Sequence, residues 1–193
     1  MSKREPGIRL SKVRTMTDIE QVVELLQPED VWRNLEFDEP PVMVRSLKAE
    51  QVMGLWDARL IHLVPSDEVV GCIILDTRKL KTERLVELDI AISAHANRGK
   101  GLSTRAMALC FDEYLQGDQC DTVWGWIDTR NTASIAMVKT MGLPIREEVR
   151  TDREMADGPV ESIDVVLSKK DWTRIRPQVA EALGLPDDPN DHP

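Results

Sequence analysis

The sequence lacks several features that mark whole classes of protein. It has no run of about 18 uncharged apolar residues, which a membrane-spanning helix requires. Its N-terminal residues contain no long apolar core, so no secretory signal is predicted. Three cysteines, Cys72, Cys110 and Cys120, show no C-x-x-C spacing, and the three histidines have no partner at ligand spacing. We therefore expect a cytoplasmic protein with reduced thiols, no disulfide framework, no metal and no membrane contact.

Positive charge is also in short supply. The 34 acidic residues outnumber the 25 basic ones, which leaves a net charge of −9. Such a balance argues against a protein that follows nucleic-acid phosphates, and it suits cationic partners. The chain has 193 residues, 41% of them hydrophobic, which favours one domain with a sizeable core. We predict a single domain over residues 1–185 and a disordered acidic tail over residues 186–193.

Periodicity and turn signals predict the element order β-α-α-β-β-β-α-β-α-β-β. The first helix is predicted to begin at Thr17 as N-cap, with Glu20 completing a capping box. The segment from Leu85 to Ser93 alternates between apolar and polar residues, as a half-buried strand does. Gly117 is predicted to cap the next helix, and a short polar helix is predicted after Lys169. The strand, glycine turn, helix and strand in the middle of the chain predict a βαβ unit within a mixed α/β sheet.

The glycine turn of this unit, in the segment 96–106 (ANRGKGLSTRA), is the most informative part of the sequence. A Walker A loop does not fit, because Lys100 stands between the two glycines. A dinucleotide fingerprint does not fit either, because Arg105 occupies the position of its third glycine. The amides of residues 99–104 nevertheless lie at a helix N-terminus, where phosphates bind, and Arg98 adds charge. The sequence predicts a phosphate or pyrophosphate site, with an unliganded turn as the alternative.

Two segments together carry a family resemblance. The first, Arg98-Gly-Lys-Gly-Leu-Ser103, fits the pattern R-x-x-G-x-small, and the second, NTASIAMVKTMGL, begins at Asn131, 33 residues after Arg98. With the element order over residues 8 to 170, they resemble the acyl-CoA-binding motifs of the GNAT superfamily of N-acetyltransferases. Ser103 stands where that motif usually has Gly or Ala. The resemblance implies a GNAT-type fold, with a twisted mixed sheet of six to seven strands, helices on both faces and a splay between the central parallel strands.

The resemblance also implies acetyl-CoA as co-substrate, with no metal. The pyrophosphate would lie on the amides of the glycine turn, and the pantetheine arm would pair with the strand that ends near Ile92. That strand would splay from its neighbour close to Trp124 and Trp126. The residues expected to bind the coenzyme are Ala91, Ile92, Arg98, Gly99, Lys100, Gly101, Leu102, Ser103, Thr104, Asn131 and Ser134.

Acetyl transfer to an amine needs a base, because an ammonium group has no lone pair. Glu87 and Asp89 are the candidates, since their spacing puts both carboxylates on one face of a strand. Either could take the proton, hold a cationic substrate or relay the proton through water, and the alternative is a solvated polar face. Asp89 ranks slightly first, because it lies ten residues before Gly99, like a carboxylate in the aminoglycoside 6'-type branch. Glu154 is a lesser candidate.

The acid is less clear from the sequence. Many family members use a tyrosine seven residues after the asparagine of the second motif, but that position is Val138. Ser134 is the better candidate, because it matches the serine of N-x-x-S in ribosomal-protein N-terminal acetyltransferases. The chain also resembles that branch in Asp157-Gly-Pro and in LSKKDW, residues 167–172. The alternative role of Ser134 is an ordinary helix serine, and Asn131 most simply caps its helix.

The sequence therefore predicts a cytoplasmic acetyl-CoA-dependent N-acetyltransferase that works by direct attack of a primary amine in a ternary complex. The acceptor is expected to be a protein or peptide N-terminus, a polyamine or an aminoglycoside-like amine. No nucleic-acid partner is expected, and a homodimer is a possible assembly. A non-catalytic acyl-CoA-binding regulatory module of the same fold is the alternative, and the two carboxylates on the central strand count against it.

Overall fold

The structure, a computed structural model, describes residues 7–35, 44–93, 97–155 and 158–186. The predicted acidic tail from residue 187 onward and Asp157 lie outside these ranges. The chain divides into two compact units. The first comprises Met1–Arg78 and Leu88–Met107, and the second comprises Lys79–Glu87 and Ala108–Pro193. The single domain over residues 1–185 stays a prediction.

Within the described residues the chain forms seven strands and seven α-helices, which confirms the mixed α/β class. In chain order these are β1 (Gly7–Lys12), α1 (Met16–Leu25), α2 (Glu29–Trp32), α3 (Val44–Val52), β2 (Trp56–Val64), β3 (Val69–Asp76), α4 (Leu80–Glu83), β4 (Leu85–Ile92), α5 (Leu102–Phe111), β5 (Thr122–Asp128), α6 (Thr132–Thr140), β6 (Ile145–Met155), β7 (Gly158–Ser168) and α7 (Lys169–Leu183). The strand order is β1-β2-β3-β4 in the first unit and β4-β5-β7-β6 in the second.

The first unit builds its core between its strands and the helices α1 to α3. Strands β1, β2 and β3 pair antiparallel, and their inward apolar residues meet the buried faces of the helices. These positions are almost fully shielded from water, which supplies the main driving force for folding. The core residues are Val13, Ile19, Val22, Leu26, Val31, Ala58, Leu60, Cys72 and Ala91.

Helix α1 begins two residues earlier than predicted. Its N-cap is Thr15, whose hydroxyl accepts from the backbone N–H of Asp18 at 3.1 Å. In turn, the Asp18 carboxylate accepts a hydrogen bond from the backbone N–H of Thr15 at 2.7 Å, which completes a capping box. The prediction of Thr17 with Glu20 was wrong because the sequence offers two Thr-x-x-acid pairs in succession. The earlier pair places Ile19 and Val22 on the buried face.

Strands β3 and β4 approach closely at Gly71. The backbone N–H of Ser93 donates to the Val70 carbonyl at 3.1 Å. A Cβ atom at Gly71 would lie only 2.2 Å from the carbonyl oxygen of Ala91 and 2.8 Å from Cδ1 of Ile92. Glycine at this position therefore sets the distance between the two strands.

In the second unit, β4 and β5 pair in parallel, as the predicted βαβ unit requires. The register partners are Leu85 with Thr122, Val86 with Val123 and Glu87 with Trp124, and they end at Glu87, in agreement with the predicted splay. Strand β7 pairs antiparallel with β5 on one side and with β6 on the other.

Helix α7 is longer and more deeply packed than the short polar helix predicted after Lys169. It has 15 residues, and its buried face includes Trp172. The Trp172 indole N–H donates to Oδ1 of Asp112 at 2.9 Å, and the Arg176 guanidinium donates to Oδ2 of the same carboxylate at 3.1 Å. Charged residues between the apolar ones hid this helical stripe from a reading of composition.

The end of the helix that begins with α5 agrees with the prediction. A π-helical turn, Asp112–Gln116, extends α5, and Gly117 is its C-cap, although with φ −69° and not in the left-handed conformation that is common for such glycines. Its lack of a side chain matters for another reason: a Cβ there would lie 2.2 Å from the Glu113 carbonyl oxygen. Close approach of the backbone, not a positive φ, explains this glycine.

Candidate active site

The glycine turn between β4 and α5 belongs to the first unit. Gly99 and Gly101 both adopt the left-handed conformation, with φ +71° and +70°. The first α-helical bond of α5 runs from the Arg105 N–H to the Gly101 carbonyl at 3.0 Å. The amides of Leu102–Thr104 precede that bond, so they have no acceptor within the helix and lie at its positive end. This is the arrangement that binds phosphate groups at helix N-termini.

The two basic residues of the turn have partners on the protein. The Arg98 Nε–H donates to the Ile92 carbonyl at 3.0 Å, and its Nη1–H donates to the Asp30 carboxylate at 2.6 Å. Lys100 Nζ lies 3.5 Å from Oδ1 of Asn97, which is buried. Arg98 thus ties the turn to the end of β4 and to α2. The coenzyme contact predicted for Arg98 would have to use its remaining N–H groups.

The two carboxylates of β4, Glu87 and Asp89, are half-buried and lie on the same face of that strand, on either side of the buried Leu88 along the chain. Burial raises the pKa of the Cys72 thiol on β3 to about 12, and the negative charge of Asp89 adds to this effect. Asp89 therefore lies close to Cys72 in the first unit, whereas Glu87 belongs to the second unit. The regular alternation of β4 ends beyond Asp89, since Ala91 and the residue after it are both buried.

The remaining predicted residues, Asn131 and Ser134, lie at the start of α6 in the second unit. Oδ1 of Asn131 accepts from the backbone N–H of Ser134 at 3.1 Å, which confirms Asn131 as a helix N-cap. Ser134 is half-buried. Val138, at the position where the resemblance leads one to expect a tyrosine, is 2% exposed. The single tyrosine of the chain, Tyr114, is also 2% exposed and lies on the π-helical turn that follows α5. The catalytic and coenzyme-binding roles of Ser134 stay predictions, and the side chain of Glu154 lies outside the described residues.

The sequence analysis missed a pair of buried polar residues on β7, Ser162 and Asp164. Their side chains are 1% and 4% exposed. They alternate with Ile163 and Val165 along the strand, so both point to the same face. The period-2 pattern was a usable signal, because a buried strand that places polar residues on one face needs a reason for doing so.

Comparison with known proteins identifies the family. The acetyltransferase (GNAT) domain family matches residues 8–144, which is more than two thirds of the chain. The chain therefore belongs to the GNAT acetyltransferase family. A comparison with curated proteins found no match.

Three solved structures of similar fold have CoA or CoA-disulfide bound. Spermidine N-acetyltransferase from Vibrio cholerae, in complex with CoA and spermine, has a TM-score of 0.74 and 11% identity over 86% of this chain and 98% of its own. RimJ from Mycobacterium smegmatis, in complex with CoA-disulfide, has a TM-score of 0.73 and 16% identity over 94% and 91%. The aminoglycoside acetyltransferase AAC(6')-Ib, in complex with coenzyme A, has a TM-score of 0.67 and 15% identity over 88% and 99%. At such identities these likenesses confirm the GNAT-type fold.

The described residues contain neither a metal-ligand cluster nor a helix that could span a membrane. No three His, Cys, Asp or Glu side chains in that part of the chain cluster in a way that could hold a metal ion. None of its helices is long and apolar enough to cross a membrane. The expectations of a metal-free, cytoplasmic protein stay predictions.

Proposed function

We propose that this protein transfers an acetyl group from acetyl-CoA to a primary amine by direct attack within a ternary complex. The observation that carries the proposal is the glycine turn at the N-terminus of α5, which directly follows a strand with two carboxylates on one face. An anion-binding turn and a proton acceptor on the same βα unit are the two things that this reaction needs.

The glycine turn fits the coenzyme. A Cβ atom placed on Gly99 would meet no atom of the described residues within 4 Å, so those residues leave the turn open on that side. The amides of Leu102–Thr104 would hold the pyrophosphate, with Lys100 beside them. The backbone of β4 near Ala91 would pair with the pantetheine arm, beyond the last register partner on β5 at Glu87. The coenzyme supplies the thioester, and the protein supplies its position.

The proton chemistry is assigned to β4 and α6. Asp89, or Glu87 two residues earlier, accepts the proton of the incoming ammonium, directly or through one water molecule. The Ser134 hydroxyl donates a hydrogen bond to the departing thiolate. Its place in the first turn of α6, where the helix dipole favours negative charge, supports this role.

The acceptor proposed here is a small cationic amine or a protein N-terminus. The names of two neighbours support a small cationic amine, since one is a spermidine and the other an aminoglycoside acetyltransferase. The net charge of −9 favours a cationic acceptor. We further propose a cytoplasmic enzyme, with a homodimer as a possible assembly. The valine at position 138 favours the second candidate, an acyl-CoA-binding regulatory module without catalysis.

The test is an isothermal titration with acetyl-CoA, followed by a thiol-release assay against polyamines, aminoglycosides and peptides with free N-termini. Binding together with turnover on one class of amine establishes the enzyme and its acceptor. Binding without turnover on any amine supports the regulatory module instead. Absence of acetyl-CoA binding would refute both the enzyme and the regulatory module and would leave the glycine turn as a turn without a ligand.

A further inference from the structure

One face of the second unit's sheet carries a row of polar and aromatic side chains. The antiparallel register places Trp126 of β5 opposite Asp164 of β7, and Asp128 opposite Ser162. Register partners on neighbouring strands point to the same side of a sheet, so these four side chains share one face. Arg150 of β6 is the partner of Ser162 on the other side and lies on that face as well.

Two oxygen atoms of this face lack partners. Neither Oδ1 of Asp164 nor Oγ of Ser162 has a hydrogen bond to any part of the chain that the structure describes, although both are shielded from solvent. The other carboxylate oxygen, Oδ2 of Asp164, lies 3.3 Å from Arg150 Nη1. That distance is long for a charge-assisted hydrogen bond, which is usually about 2.7–2.9 Å. The carboxylate charge is therefore only partly compensated.

The chemistry of these atoms selects the kind of ligand. Both unsatisfied atoms are oxygens that can accept, and a carboxylate beside them repels anions. The best match is an ammonium group, which has three donors and the opposite charge. Arg150 shows the direction of approach, because its side chain is 40% exposed while that of Asp164 is 5% exposed. A ligand would therefore reach the buried oxygens from the exposed side, past the side chain of Arg150.

The strand registers place this pair at a defined distance from one candidate base. Glu87 of β4 is the partner of Trp124, which is the partner of Val166, and Asp164 lies two residues from Val166 on the same face. Two strand spacings of about 4.8 Å and two residues of about 3.4 Å put the Glu87 and Asp164 Cα atoms about 12 Å apart. A flexible aliphatic chain with an amine at each end can span such a distance.

We propose that the acceptor carries two ammonium groups, and that Asp164 and Ser162 bind the one that is not acetylated. The inference rests on the proposed function, because it assigns the specificity of the same reaction. It names a class, aliphatic or sugar-borne polyamines, in preference to monoamines. Asp164 binds the distal ammonium group, and Glu87, which belongs to the same unit, receives the reacting amine.

The experiment compares diaminooctane with octylamine, which have the same chain length and differ by one ammonium group. Steady-state kinetics are measured for the parent protein and for Asp164→Asn, Ser162→Ala and Glu161→Gln. Glu161 is the matched control, because it is exposed and lies on the opposite face of the same strand. Three further acceptors distinguish the sources of the second ammonium group: spermidine, an aminoglycoside and a lysine-containing peptide.

The parent protein should show a KM for the diamine at least tenfold below that for the monoamine, since a buried charge-assisted bond is lost with the monoamine. Asp164→Asn should raise the KM for the diamine until it equals that for the monoamine, Ser162→Ala should raise it part of the way, and Glu161→Gln should leave the ratio of the two KM values as in the parent. An equal ratio in the parent and Asp164→Asn would overturn the proposal and indicate that water satisfies the carboxylate. Should Asp164→Asn fail to fold, an unchanged ratio in Ser162→Ala decides against the proposal.

A binding measurement separates this proposal from the proposed function. Diaminooctane is titrated into the CoA-saturated parent protein and into Asp164→Asn. Diamine binding that depends on Asp164, without turnover of any amine, would support the site and refute the enzyme. Turnover of monoamines and diamines with equal KM would support the enzyme and overturn the site. Diamine binding that is absent or independent of Asp164 would also overturn the site.

Discussion

Replacing Gly71 with alanine tests how closely β3 and β4 must approach for the protein to fold and bind acetyl-CoA. The new Cβ would lie 2.2 Å from the Ala91 carbonyl oxygen. Ordinary contacts between such atoms are about 1 Å longer, and a backbone oxygen cannot rotate away as a side chain can. The strands must therefore separate at this point, and the backbone of Ala91 and Ile92 must move.

The expected loss of stability follows from two opposing effects. Overpacking of this kind costs about 1–3 kcal/mol. Alanine also restricts the unfolded chain, which returns about 0.4–1 kcal/mol. The net loss in the free energy of unfolding is about 1–2 kcal/mol, which lowers Tm by about 2–8 °C in a protein of this size. Acetyl-CoA affinity should fall as well, because the displaced backbone is the part proposed to pair with pantetheine.

Thermal unfolding and isothermal titration with acetyl-CoA measure the two effects separately. Gly7→Ala is the matched control, because its Cβ would meet Val64 Cβ at an ordinary 3.5 Å. An unchanged Tm in Gly71→Ala would refute the close approach of the strands. A lower Tm with unchanged acetyl-CoA affinity would support the close packing of β3 and β4 but refute the proposed position of the pantetheine arm.

Three further predictions concern the turn, the base and acid stability. Gly101→Val should abolish acetyl-CoA binding in a titration, because a φ of +70° is strained for valine and the turn must shift, which displaces the amides that follow it. The control Gly54→Val, at a glycine with φ +71° elsewhere in the first unit, should bind acetyl-CoA like the parent. Asp89→Asn should depress turnover most at low pH, where the amine is most protonated, and a pH profile parallel to the parent's would argue against Asp89 as the base. The hydrogen bond from Arg130 lowers the pKa of Asp128 below its usual 3.8. The pair therefore stabilises the folded protein fully at pH values above 3.8, and this stabilisation is lost as the pH falls through the lowered pKa of the folded state. The Tm difference between the parent and Asp128→Asn should therefore be present at neutral pH and vanish in strong acid, and a difference that persists in acid would contradict the pairing.

Local pattern was enough to predict the centre of the fold. The alternation of β4 and the bounds of β5 could be read from the sequence, because each depends on neighbouring residues alone. The glycine turn was equally accessible, since positive φ at Gly99 and Gly101 is a property of the residue type. Asn131 as a cap follows from the same local chemistry.

Contacts between distant residues could not be predicted in this way. Arg98 was predicted to bind the coenzyme, and its hydrogen bond to Asp30, which lies 68 residues away in the sequence, could not be foreseen. The partners of Asp164 depend on the registers of β5, β6 and β7, and a register is set by tertiary packing. Local reasoning therefore located the glycine turn and missed the buried polar pair Ser162 and Asp164 on β7.

The buried cysteines decide how the chemistry of this protein can be observed. Burial raises the pKa of Cys72 to about 12 and that of Cys120 to about 11, and Cys110 is 1% exposed. Thiols that stay protonated and shielded react slowly with colorimetric reagents. In the folded protein such a reagent will therefore register free CoA against a nearly blank background. After addition of denaturant the same cuvette will register the three protein thiols, so each sample carries its own concentration standard.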